Sequence, residues 1–81
     1  MSPIQENEES KEIALKIGRA VRALRESKGY SQEQFAELSG HHRTYIGFLE
    51  RGERTPNVYT LQKVAEAIGV SLSELMKKAG L

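Results

Sequence analysis

Cysteine is missing from this chain of 81 residues. Its absence removes a disulfide framework and a thiolate metal site together, so the fold must rest on packing alone, and a reducing, intracellular location fits. Also missing is any apolar run near the roughly 20 residues needed to cross a bilayer. The opening MSPIQENEESKE has neither the basic nor the apolar region of a signal peptide. The chain therefore reads as soluble and cytoplasmic, with no membrane partner. It carries no glycine-rich phosphate-binding motif and no nucleophile beside a base, and it is too short to line a deep pocket. Those absences exclude the enzyme classes, a cofactor and a small-molecule ligand.

What is present suits one small domain: 38% of the residues are hydrophobic, enough for a single core. At roughly 0.05 to 0.15 kcal/mol per residue the total stability is about 4 to 12 kcal/mol, so self-association bears on folding as well as on function. The formal charge is only +1, from 12 Lys and Arg against 11 Asp and Glu. Its distribution is uneven. Residues 1–12 hold Glu6, Glu8, Glu9 and Glu12 against Lys11, which leaves eleven basic and seven acidic residues, a net of +4, for the remainder. An acidic leader precedes a basic body.

The leader, residues 1–10, lacks periodic apolar residues and reads as flexible, with one domain over 11–81 behind it. Ile13, Ile17, Ala20, Val21 and Leu24 recur at helical spacing and mark a first helix from Ser10 to near Gly29. Ser31 and Gln34 form a capping box for a second helix through Phe35, Ala36 and Leu38 to Gly40. A third helix spans Arg43 to Arg51. Asn57 caps a fourth, whose stripe is Val58, Leu61, Val64, Ala65 and Ile68. Ser71 and Glu74 open a fifth, with Leu72, Leu75, Met76 and Ala79 as its apolar face. No strand pattern is convincing, and the fold class is all-α, a compact bundle of about five helices.

Two short helices joined by a three- or four-residue turn containing glycine form a helix-turn-helix, whose second helix enters the DNA major groove. Here Ala36 is small where the pair would cross, Gly40 can take the positive φ of the turn, and Ile46 and Leu49 face inward. On a helical wheel Tyr45 falls at the edge, while Arg43, Thr44, Gly47, Phe48 and Arg51 face out. Gly47 demands a reason, because a helical glycine costs roughly 1 kcal/mol relative to alanine. Its angle suggests an exposed site where a missing side chain lets the backbone approach base edges; a merely tolerated glycine or a tight packing site is the alternative.

The run YSQEQFAELSGHHRTYIGFLERGERTP, continued by LQKVAEAIGVSLSELM, resembles the Xre/Cro/phage-repressor helix-turn-helix family, a lambda-repressor-like fold, over roughly residues 13–79. RTYIGFLERGER further resembles the restriction-modification controller proteins, compact homodimeric regulators. The resemblance implies a transcription regulator that binds a palindromic duplex operator as a homodimer. An antitoxin or other protein-interaction module on the same fold is the alternative. It also implies an ion pair between Arg25 of helix one and Glu50.

Base contacts are expected from Arg43, whose guanidinium can bind guanine O6 and N7 with two bonds, and from Thr44, Gly47 and Phe48. Backbone contacts are expected from Gln32 at the start of helix two, and from His42, Tyr45, Arg51, Arg54 and Asn57. His41 and His42 replace the small residue or aspartate usual in the family, and histidine is a poor N-cap. Adjacent histidines with no third ligand at suitable spacing do not make a metal site. Tyr59, lying opposite the stripe of helix four, together with Leu72 and Leu81, is the expected dimer interface.

Overall fold

The computed structural model describes residues 8–81, which form five helices and no strand: α1 (Glu8–Ser27), α2 (Gln32–Ser39), α3 (Arg43–Glu50), α4 (Val58–Ile68) and α5 (Leu72–Lys78). Most of the expected leader, residues 1–7, lies outside the described residues. Glu8, Glu9 and Ser10 do not belong to a leader, because α1 begins at Glu8. The apolar stripe of α1 starts only at Ile13, so the first turn buries nothing that hydrophobic spacing could register. Two glutamates there complement the positive end of the helix dipole.

The caps hold as read. Ser31 Oγ accepts from the Gln34 amide at 3.0 Å while the Gln34 side chain accepts from Ser31 N at 2.8 Å. Ser71 and Glu74 repeat this arrangement at α5, and those bonds from Ser71 hold the Glu74 carboxyl below the usual glutamate range. Asn57 Oδ1 accepts from Thr60 N at 2.8 Å and starts α4. Gly40, at φ 73°, closes α2 in the left-handed region and turns the chain within three residues into α3.

The core sits among α1, α3, α4 and α5, with α2 laid across α3 and α4. Val21, Phe35, Ile46, Leu49, Val64 and Leu75 are fully buried in it, and Ala36 of α2 belongs to the same buried cluster. Two residues read as apolar faces are instead on the surface: Leu38 is 56% and Val58 69% exposed. Both sit at a helix end, where one stripe position lies beyond the reach of the neighbouring helix. Leu72 packs partly against the core.

One contact decides how α3 is presented. Gly18, in the middle of α1, lies so close to the C-terminal carbonyls of α3 that an added Cβ would meet Leu49 O and Glu50 O within 2.6 Å. A glycine there lets α1 and α3 touch backbone to backbone.

Candidate nucleic-acid interface

The outer face of α3 is built from its own sequence spacing. Ile46 and Leu49 anchor the helix in the core, which leaves Arg43 and Thr44 exposed at the leading end and Phe48 half-buried further along. Among the described residues neither the Arg43 nor the Thr44 side chain makes a hydrogen bond or ion pair, so their side-chain donors meet solvent. His42 precedes them as the N-cap of α3, its Nδ1 accepting from the Thr44 amide at 3.1 Å. Histidine nonetheless supplies the cap here: Nδ1 accepts where an oxygen usually does, which leaves Nε2 as the ring's donor. His41 stacks on Tyr45, with ring centroids 5.3 Å apart and Nδ1 3.3 Å from Ser39 Oγ. Tyr45 is thereby held at the edge of the face.

Behind this face an ion pair joins the helices. Arg25 donates from Nε and Nη2 to the two Glu50 oxygens at 2.6 and 3.0 Å, and from Nη1 to Tyr30 O at 2.7 Å. Both partners are buried, and hydrogen bonding to Glu50 raises the Arg25 pKa above the ordinary guanidinium value against the opposing effect of burial. Removing one partner would strand a buried charge, at about 3 to 5 kcal/mol. The pair fixes the end of α3 to α1 and the start of α2 together. Gln32 belongs to this network as well: its Nε2 donates to Glu50 Oε1 at 3.0 Å. One N–H of its side-chain amide is therefore turned inward, and the second N–H and the backbone N–H groups are the donors left at the start of α2.

The reading of Gly47 also needs correction. Gly47 faces outward as the wheel predicts, yet it is buried, because the Arg51 side chain folds back along α3 and lays its guanidinium over it. Nη1 lies 3.0 Å and Nη2 3.7 Å from the point a Gly47 Cβ would occupy. Helical side chains lean toward the N-terminus, so residue 51 covers the surface one turn before its own Cα. Arg51 is held there by Glu53, at 2.6 Å from Nε to Oε2, and by the Phe48 ring, 5.4 Å from Cζ to centroid. Arg54 lies against the same ring at 5.0 Å. Hydrogen bonding within the Arg51–Glu53 pair raises the arginine pKa and lowers the glutamate pKa.

Sequence reasoning missed Gly18 and Glu53. Gly18 stands on the buried stripe of α1, one turn after Ala14, and a glycine on an inward face inside a long helix is a signal that could have been read. Glu53 carried no such signal, because its partner is set by a turn and not by a helical spacing.

The described residues hold no helix long and apolar enough to cross a membrane, and no group of His, Asp or Glu arranged to hold a metal ion. Comparison with known proteins places the chain among regulators. The helix-turn-helix family HTH_3 matches residues 21–75. The chain is 48% identical over 61 residues to the control protein C.SmaI of Serratia marcescens, covering 75% of this chain and 73% of that protein. It is 40% identical over 65 residues to the control protein C.BamHI of Bacillus amyloliquefaciens, covering 79% and 80% respectively. The crystal structure of the restriction-modification controller protein C.AhdI from Aeromonas hydrophila superposes with a TM-score of 0.74 at 42% identity, over 76% of this chain and 94% of that one.

Proposed function

The chain belongs to the Xre/Cro-type helix-turn-helix family, and from that premise we propose that it is a sequence-specific DNA-binding transcription regulator of the controller-protein kind. The observation that carries this reading is the outer face of α3. Arg43 and Thr44 stand uncommitted at its leading end, on a helix whose inner side is locked by Ile46, Leu49 and the Glu50 ion pair. A helix so fixed presents its outer face to base edges without first ordering its backbone.

Arg43 reads a guanine through its two-bond fork, and Thr44 and Phe48 supply hydrogen-bonding and apolar contact to the neighbouring bases. The backbone amides that open α2, His42 through Nε2–H, Tyr45, Arg54 and the side-chain amide of Asn57 follow the phosphates on either side. Two copies related by a twofold axis bind a palindromic operator in the cytoplasm, with Tyr59 and Leu81, exposed at 69% and 51%, joined by the outer part of Leu72 in the interface.

Selection of bound sequences from a random duplex pool tests the proposal. The expected result is a palindromic consensus. Arg43→Ala should relax preference at one base pair per half-site and cost about 1 to 3 kcal/mol there. Recovery of no consensus at all would overturn the reading.

A further inference from the structure

The outer face of α3 holds a second guanidinium whose position the spacing of the sequence does not suggest. Arg51 sits near the end of the recognition helix, where a long cation ordinarily follows the phosphate backbone, yet its charged tip lies mid-face, over Gly47. Three features of the site keep it there. The missing Cβ of Gly47 leaves a seat that Nη1 occupies, Phe48 offers a ring, and Glu53 takes Nε. The alternative role for Gly47, close packing against another element, finds no support: the nearest atoms to its absent Cβ all belong to Arg51.

Building on the DNA-binding reading, we propose that Arg51 is a second base-reading arginine, seated on Gly47, with Glu53 as the positioning residue that keeps it in register with Arg43. Seating accounts for a small residue at 47: a Cβ alone would shift the guanidinium by a few tenths of an ångström, and a longer side chain would lift it off the helix. Held by Glu53 and the Phe48 ring with 56% of its side chain exposed, Arg51 meets a guanine edge with part of its ordering already done, at a smaller cost than a free surface arginine. Glu53 engages Nε at 2.6 Å and one N–H of Nη2 at 3.5 Å, so the fork that remains is the outer N–H of Nη2 with those of Nη1, the end of the guanidinium suited to O6 and N7. Arg54, on the same ring and attracted by Glu53 only at longer range, is left to the phosphates.

The test is a double-mutant cycle with Gly47→Leu, Arg51→Ala and the combination, read on the selected operator and on a scrambled duplex. Arg51→Ala should relax preference at one base pair distinct from that of Arg43 and lower operator affinity about tenfold, with little change on scrambled DNA. Gly47→Leu should do the same in the wild-type background and nothing further in the Arg51→Ala background. Glu53→Gln separates positioning from plain charge: it should hold or raise affinity for scrambled DNA, having removed a negative group, while loosening preference at the Arg51 base pair. In the absence of DNA, the Arg51 Nε–H signal should exchange slowly with water in the wild type and rapidly in Gly47→Leu.

Two results overturn the inference alone: additive effects of Gly47→Leu and Arg51→Ala, which would make Gly47 a point of backbone approach, or a uniform loss across all sequences with a salt slope lower by about one, which would make Arg51 a phosphate contact. A wild-type chain that fails to distinguish operator from scrambled DNA overturns the DNA reading itself, and base reading by Arg51 with it.

Discussion

Glycine has opposite meanings at two helical positions of this chain. At Gly18 a Cβ would run into carbonyl atoms of Leu49 and Glu50, which cannot yield without moving α3, whereas at Gly47 it would meet only the tip of an exposed arginine. Alanine at position 18 should therefore destabilise the protein by about 1 to 3 kcal/mol, as overpacking does, even after its better helix propensity is counted. Alanine at position 47 should be neutral or stabilise by up to about 1 kcal/mol, because the guanidinium needs to shift by only a few tenths of an ångström. Urea unfolding of the two variants in parallel checks the pair; a gain in stability for Gly18→Ala would show that the backbone contact is looser than described. Both glycines are visible as breaks in a helical pattern, but nothing in the pattern tells a backbone contact from a seat for a side chain.

The third helix illustrates how far an element depends on its ends. Its eight residues carry no acidic residue in the first turn and no basic one in the last, so its start rests on the turn through Gly40 and on the His42 cap. His42→Ala should cost about 1 kcal/mol, the ordinary worth of a cap, and lower the thermal midpoint by several degrees. His42→Asp should restore or raise the midpoint, since a carboxylate both caps and suits the helix dipole, yet weaken DNA binding by placing a negative charge where an Nε2–H donor stood. Thermal melts and titrations on the operator separate the two effects. An unchanged midpoint in His42→Ala would mean that the Nδ1 bond contributes nothing to α3. The capping boxes of α2 and α5 were legible because Ser with Gln or Glu three residues later is a local signal. The His42 cap was not, since it depends on which nitrogen of the ring is free.

For the molecule as a whole, the large apolar side chains exposed among the described residues are Leu15, Leu38, Val58, Tyr59 and Leu81. Val58 and Tyr59 stand together at the start of α4 at 69% exposure, and Leu81 ends the described chain at 51%. Covering them in a symmetric dimer removes a liability that a chain of this size is poorly placed to carry. Analytical ultracentrifugation at micromolar concentration, with and without operator, should find a dimer, and Tyr59→Glu should shift it toward monomer at unchanged helix content. A wild-type monomer under both conditions would remove this interface, and with it the case for a palindromic site. The same dimer would place two copies of α3 on one side of the DNA, so loss of association should weaken operator binding far more than the intrinsic contacts of either copy.

Local signals determined much of this protein: five helices from apolar spacing, their caps and turns from Ser, Asn and Gly at fixed offsets, and the helix-turn-helix from the match of small, turn and inward residues. The Arg25–Glu50 pair was implied by family resemblance before the geometry showed it, at 2.6 Å. Tertiary structure alone decided what these elements do to one another. It turned Gln32 inward to Glu50, left Leu38 and Val58 outside the core, and brought α1 onto the carbonyls that end α3 at Gly18. It also folded Arg51 back over Gly47. The reason is one of range: spacing along a helix states which side a residue faces, but what lies over that side is set by neighbours whose approach and rotamers only the assembled fold specifies.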